Sequence, residues 1–407
     1  MESAEKIAAG RQTPVEDCHV PKAAKTDSDS LPQKYGLKSK HIEEACRWKD
    51  TQRLRDLAVS EGGLVSDDIR RKAWPILLGF FPDNTEPIED DQRWQELPRH
   101  ADEDQVQLDV NRAFIYYPTD QTAKQIDTRK EELSDLITEV LRRQPYLCYF
   151  QGYHDICQVF LLVLGHKNCS EAVSRLSALR IRDFMLPTLA PALAQLRLIP
   201  GIIRTVNPNL YQHLSDTQPF FALSGTLTMY AHDIQEYGDI ARLFDVFLAR
   251  ESIFSVYMFA QIVLSRSEEL FDTPADEPEM LHSILSKLPK PLNLEQLISD
   301  TTNLLEQHPP ESLLLWSKIS QSSVLKTARS TEEVAKQSLQ DGQIYFEKQV
   351  KELQWAERRE KLVKQLWKNK NPAIIIGVGV LVGLLSYHMR KSPSIHHMVS
   401  EIWKVVK

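Results

Sequence analysis

Two short strings in this chain carry side chains suited to phosphoryl chemistry: Val106-Gln-Leu-Asp109-Val-Asn-Arg112 and Tyr149-Phe-Gln151-Gly152. A guanidinium spreads positive charge over a transferring phosphoryl group, and a neutral carboxamide aims the attacking water. The chain contains neither Gly-x4-Gly-Lys-Ser/Thr nor Gly-x-Gly-x-x-Gly, so it has no phosphate-binding loop of its own for these groups to serve. The pair points to catalytic groups lent to a nucleotide that another protein holds. Asp109, three residues before Arg112 on a short helix, is placed to hold the guanidinium stem. Gly152 after Gln151 permits close backbone approach. Taken alone, Arg112 reads by default as an ordinary surface arginine paired with Asp109.

The elements that must position these groups read as helices. The segment 41–57 is amphipathic, and Ser66-Asp67-Asp68 precedes a stripe of Ile69, Ala73, Trp74, Leu77 and Leu78 spaced by three and four residues, with Gly79 as terminator. After a proline-containing acidic stretch over 81–104, helical patterns follow at roughly 104–112, 121–144, 149–165, 170–184, 187–198, 206–213, 218–229, 238–249, 252–266, 277–287, 293–305 and 310–320. Alternating strand patterns and hairpin signals are missing. The fold class is therefore all-α. The apolar stretch 241–264 contains Arg242, Asp245, Arg250 and Glu251, and reads as two core helices, not a membrane span.

At 407 residues with 42% hydrophobic and 26% charged residues, the chain has room for one large domain or two ordinary ones plus tails. A net charge of −7 argues against nucleic acid as a partner. Five scattered cysteines, Cys18, Cys46, Cys148, Cys157 and Cys169, form no disulfide framework, which points to a reducing compartment. Cys148, His154, Cys157, His166 and Cys169 lack the paired spacing of a zinc site, so no metal is expected. Asp155 reads as a salt-bridge partner within its helix. Gly-x-Ser-x-Gly, His-Glu-x-x-His and the kinase signatures are absent, which leaves no support for a self-contained hydrolase.

Residues 1–36 are polar and expected to be disordered, with no secretory signal peptide. A folded domain is expected over 37–325. A charged helical linker follows over 326–371, opened by the capping-box pattern Ser330-Thr-Glu-Glu333 and weakened locally by Gly342. It reads as a solvated helix or as a short coiled coil or docking helix. Ala373 to Tyr387 carries no charge, and at 1.5 Å per residue covers roughly 25 Å, close to the roughly 27 Å hydrocarbon core of an endoplasmic reticulum bilayer. Length alone also allows a buried core helix, but the run follows a polar linker and is flanked by Arg358, Arg359, Lys361, Lys364, Lys368 and Lys370 before it and Arg390 and Lys391 after it. A transmembrane helix over 372–389 is therefore expected, with the large domain on the cytosolic side. Gly379 and Gly383 form a Gly-x-x-x-Gly pair that suits either helix contact or lipid. Residues 392–407 place Ile395, Met398, Val399, Ile402, Trp403 and Val406 on one face of an interfacial amphipathic helix.

Arg70-Arg-Lys-Ala-Trp74, Val106-x-x-Asp109-x-x-Arg112 and Tyr149-x-Gln151-Gly152 occur in that order, and together resemble the three signature motifs of the TBC-domain family of Rab GTPase-activating proteins. Arg242-Leu-Phe-Asp245-Val-Phe-Leu248 resembles a later segment of that family. The resemblance is close over 66–255. Position 106 is Val where the family usually has Ile, and Ala113 stands where Thr commonly follows the arginine. The resemblance implies a helical TBC domain and a two-finger mechanism in which Arg112 and Gln151 act on a GTP-bound Rab GTPase. It implies no cofactor beyond the GTP and Mg2+ that the Rab holds. Asp109, Tyr149, Gly152, Arg70 and Trp74 are the supporting residues, with Trp74 packing and Arg70 bridging helices. The linker and short C-terminal span resemble an endoplasmic-reticulum-anchored member of the family. This implies a place on that membrane with the catalytic domain facing the cytosol, contact with the bilayer and with endoplasmic reticulum membrane proteins, and control of traffic toward the Golgi. The alternative is a non-catalytic anchored tether that binds a Rab without accelerating hydrolysis.

Overall fold

The computed structural model describes residues 35–80, 93–166 and 169–368, with 377, 379–384 and 386 beyond them. Among the described residues there is no strand. The helices are α1 (Gly36–Arg47), α2 (Thr51–Val59), α3 (Asp67–Leu77), α4 (Glu103–Val110), α5 (Ala123–Arg143), α6 (Tyr153–Leu164), α7 (Cys169–Leu179), α8 (Ala190–Leu196), α9 (Leu198–Val206) and α10 (Pro208–His213). They continue as α11 (Leu223–Leu227), α12 (Tyr237–Ala249), α13 (Phe254–Ser265), α14 (Ser267–Phe271), α15 (Pro278–Leu285), α16 (Leu294–Gln307), α17 (Val324–Thr327), α18 (Thr331–Lys336) and α19 (Leu339–Lys368).

The core is built on helices that are apolar nearly all round. In α6 every residue is buried except Asp155 and Leu162, and α12 is buried from Ile240 to Ala249. Such helices have no solvent face and must be wrapped by others. The stripe on α3 supplies one wrapping face. Trp74 is fully buried, with its ring centroid 5.3 Å from that of Phe160 on α6 and 6.0 Å from that of Phe244 on α12.

One carboxylate ties this junction. Asp245 on α12 is fully buried and accepts from Arg70 Nε at 3.0 Å, from Trp74 Nε1 at 2.8 Å and from the backbone N–H of Leu64 at 3.0 Å. One turn earlier, Arg242 donates to the carbonyls of Ala58 (2.8 Å) and Val59 (3.0 Å) at the end of α2, and to Glu295 on α16 (2.7 Å). The buried charges Arg242 and Asp245 inside the 241–264 stretch are thus hydrogen-bonded and paired, as burial demands.

Several expected bounds shift. The helix expected over 104–112 ends at Val110, and the one expected over 149–165 begins at Tyr153. The segment expected as one helix over 310–320 forms two short 3-10 turns, Pro310–Ser312 and Leu314–Lys318, separated by Leu313 in an extended conformation. Helix α9 was not expected: Pro200 and Gly201 masked a strongly amphipathic segment, with the proline in the first turn where its missing N–H costs little. Ser66 occupies the N-cap position of α3 without a side-chain capping bond.

The expected linker region is helical, but its N-terminal part is packed into the domain. Ser330 Oγ accepts from Glu333 N–H at 3.2 Å, while the Glu333 carboxylate takes the N–H of Arg329, one residue before the expected partner. Helix α18 then stops, and α19 restarts after Ser338, whose N–H donates to Asp341 at 2.8 Å. Gly342 does not loosen α19. It lies against Ala178 of α7, where a Cβ would stand 2.9 Å from the Ala178 Cβ. Phe346 meets Tyr146 edge-on at 5.1 Å, and buried Gln349 donates to Asp183 at 2.9 Å. From Gln354 to Gln365 every side chain is exposed.

Among the described residues no helix is long and apolar enough to cross a membrane. The span expected over 372–389 lies mostly outside them. The positions described there, Gly377, Gly379–Leu384 and Ser386, are helical and exposed. The expected tail over 1–36, apart from Tyr35 and Gly36, and the expected amphipathic helix over 392–407 also lie outside the described residues.

Candidate functional site

Arg112 follows the end of α4 by two residues, in a turn closed by its own N–H to the carbonyl of Asp109 at 3.0 Å. Its Nη2 donates to Asp109 Oδ1. The Asp109 side chain is fully buried, whereas 61% of the Arg112 side-chain surface stays open. Asp109 also accepts from Tyr149 Oη at 3.0 Å and from Gln105 Nε2 at 3.1 Å. The acid is therefore held from two elements and fixes one end of the guanidinium, which lowers the entropy cost of ordering it in a complex.

Gln151 is exposed on the turn that leads into α6. Gly152 caps that helix at φ +99°, a left-handed conformation that suits glycine. A Cβ on it would lie 2.6 Å from Thr228 Cγ2. Tyr149 is anchored by its backbone N–H to Asp102 at 2.9 Å as well as by its ring hydroxyl.

Both side chains line one cleft of about 500 Å³, together with the rest of Arg112–Tyr117, with Gly152, His154, Asp155 and Gln158, and with Leu223, Ser224, Leu227, Thr228, Ala231 and His232. The stretch Arg112–Tyr117 is shaped by Phe114, a non-glycine residue at φ +60°. Such a conformation costs of order 1–3 kcal/mol, and it is held here by a 2.8 Å bond from the Phe114 N–H to buried Gln158 Oε1. Ile115 and Tyr116 at the rim are exposed, as is Leu108 on α4.

The cleft carries ionisable groups besides Arg112. Burial holds the His154 imidazole below its ordinary range, despite the nearby Asp155 and Asp109 carboxylates. His232 is shifted upward, chiefly by its hydrogen bond to Asp155 at 3.0 Å. Burial and then Asp109 push the Tyr149 hydroxyl well up, so it stays a donor. Asp155 was expected to pair within its helix. It pairs with His154 Nε2 at 3.3 Å, but its second oxygen leaves the helix for His232.

The structure thus brings Arg112, Asp109, Tyr149, Gln151 and Gly152 together. Arg70 and Trp74 stand elsewhere, at Asp245 in the junction of α3 and α12. Sequence reasoning missed Gln158, Thr228 and His232 as cleft residues. A signal existed for the first: Gln151, Asp155 and Gln158 recur at i, i+4 and i+7 along an otherwise apolar segment. Nothing local marks Thr228 or His232.

Residues 67–271 match the family described as the Rab-GTPase-TBC domain. The chain belongs to this family. Among curated relatives of this family member, TBC1 domain family member 20 of Bos taurus is 38% identical over 284 residues, 69% of each chain. GTPase-activating protein gyp10 of Schizosaccharomyces pombe is 33% identical over 310 residues, 75% of this chain and 82% of that one. The crystal structure of the Ypt/Rab-GAP domain of Gyp1p superposes with a TM-score of 0.50 at 15% identity, over 69% of this chain and 99% of that one. This last likeness is one of fold.

Proposed function

We propose that this TBC-domain protein accelerates GTP hydrolysis on a Rab GTPase by placing Arg112 and Gln151 together in the partner's nucleotide site. The observation that carries this reading is that the two side chains, presented by different elements, line the same open cleft. Arg112 neutralises charge on the transferring phosphoryl group and Gln151 orients the attacking water. The protein contributes groups and holds no nucleotide, so the GTP and Mg2+ are the Rab's. Exposed Leu108, Ile115 and Tyr116 give the rim an apolar surface beside Arg112 on which the GTPase docks.

The reading extends to the membrane. The uncharged run over 373–387, its basic flanks, and the exposed helical positions Val380, Leu381, Val382 and Leu384 support a C-terminal anchor. Its short length favours the endoplasmic reticulum, and with it a Rab of the early secretory pathway and control of traffic toward the Golgi.

Single-turnover hydrolysis with a panel of GTP-loaded Rabs tests the reading. Acceleration by the chain in detergent, reduced about 10³-fold or more in Arg112→Ala and strongly in Gln151→Ala with folding retained, is the expected result. Binding without acceleration would instead identify a tether. Release from membranes on deletion of 371–407 is expected in fractionation.

A further inference from the structure

The cleft holds an exposed basic side chain that the two-finger chemistry does not use. His232 lines the cleft with Arg112 and Gln151, on the loop between α11 and α12. Its side chain is 62% exposed. The loop is not loose. Met229 and Tyr230 both take left-handed backbone conformations (φ 50° and 63°). The Tyr230 ring is fully buried, with its hydroxyl donating to the carbonyl of Ser255 at 2.9 Å. The backbone N–H of His232 donates to Thr228 Oγ1 at 3.4 Å, which links it to the residue that packs on Gly152.

His232 is also wired to Arg112. Arg112 is bound to Asp109; Asp109 accepts from Tyr149; the Tyr149 hydroxyl lies 3.4 Å from His154 Nδ1; His154 Nε2 lies 3.3 Å from Asp155; and Asp155 lies 3.0 Å from His232 Nδ1. The chain of polar contacts runs from the arginine to the histidine beneath the cleft. With Nδ1 directed at a carboxylate, the ring presents Nε2 outward.

We propose that His232 is a further partner-contact residue of this cleft, oriented by Asp155 so that its Nε2 donates to an acceptor oxygen on the nucleotide-binding face of the docked GTPase. This rests on the proposed Rab-activating function and adds a contact to it. Donation from Nε2 requires the ring to be protonated when Nδ1–H is already given to Asp155. The groups around the ring fit that state. Asp155 on α6 and adjacent Asp233 favour the imidazolium, while partial burial opposes it. His154, the other titratable ring facing Asp155, is held toward its neutral form by burial, so it competes little for the acid's charge. Arg112 is paired with Asp109 at the other end of the chain of contacts. The contact accordingly strengthens as pH falls through the raised pKa of His232.

The test measures kcat and KM separately for the full chain in detergent, from about pH 6 to about pH 8, on a Rab that the wild type accelerates. For His232→Ala we expect KM to rise about tenfold at the acid end, as for loss of one charge-assisted hydrogen bond. That difference should shrink toward the alkaline end, with kcat within about twofold throughout. Asp155→Asn should move the pH dependence of KM to lower pH. His232 lies on the surface, so its replacement leaves the core intact, and Arg112→Ala serves in parallel as the probe of the underlying reading. Equal KM in wild type and His232→Ala at every pH, or a fall in kcat with KM unchanged, overturns this inference while Arg112→Ala still abolishes acceleration. If the wild type accelerates no Rab in the panel, both readings fall.

Discussion

Thr228 stands so close to Gly152 that a β-carbon on the glycine would lie 2.6 Å from its methyl group. This contact closes the wall that carries Gln151 against the wall that carries His232. Gly152→Ala meets two separate penalties. The backbone at φ +99° disfavours any L side chain by roughly 1–2 kcal/mol, and the methyl collides with Thr228. We expect a lower unfolding midpoint and a displaced Gln151, read as reduced single-turnover GTP hydrolysis. Thr228→Ala in the same chain should recover the steric part alone. Full recovery would show that backbone conformation contributes nothing.

Asp109 divides its carboxylate between Arg112 and Tyr149. Asp109→Asn keeps the shape but removes the charge that fixes the guanidinium. On the proposed function the accelerated rate should drop by about tenfold, well short of the loss on deleting the arginine itself, because the guanidinium is still present. Tyr149→Phe should cost less, since it removes only the second oxygen's partner. A double-mutant cycle on the rates at saturating Rab measures the coupling. Additivity would mean that the carboxylate does not link the two side chains.

Asp245 is buried and satisfies Arg70, Trp74 and the Leu64 backbone at once. Asp245→Asn takes from the Arg70 guanidinium, 9% exposed, the fully buried one of its two carboxylate partners and leaves only Asp67, at 2.8 Å on the more open side. A loss of about 3–5 kcal/mol is expected in chemical denaturation. At temperatures where the variant stays folded, its accelerated rate should lie near the wild-type value, because this junction does not line the cleft.

Gly342 sits inside α19, where alanine is ordinarily the better residue by about 1 kcal/mol. Its position against Ala178 reverses the sign. The added methyl would lie 2.9 Å from the Ala178 Cβ and 3.0 Å from its carbonyl oxygen. Overpacking of this kind costs about 1–3 kcal/mol, so Gly342→Ala should destabilise. Ala178→Gly added to it should restore part of the loss, measured by thermal or denaturant midpoint. A stabilised Gly342→Ala would mean that α19 does not dock on α7 in solution.

Much of this fold is legible in the linear chain. The three-and-four spacing of Ile69, Ala73, Trp74 and Leu77 yields the buried face of α3, and the charged residues in 241–264 mark core helices instead of a span. The strings around Arg112 and Gln151 are local patterns, so their residue types can be read in order. Helix ends were less legible where a proline or glycine stood inside an amphipathic stretch, as at Pro200 and Gly201 in α9.

The sequence by itself determined the helical class, the local patterns around Arg112 and Gln151, and the absence of a phosphate loop, because each depends on residues adjacent in the chain. Only the tertiary structure decided that Arg112 and Gln151 share a cleft, that Asp155 reaches out of its helix to His232, that Asp245 is the anchor for Arg70 and Trp74, and that Gly342 is a packing contact. Those pairings join residues far apart in sequence. Side-chain periodicity records which face of a helix is apolar, but not which other helix will cover it.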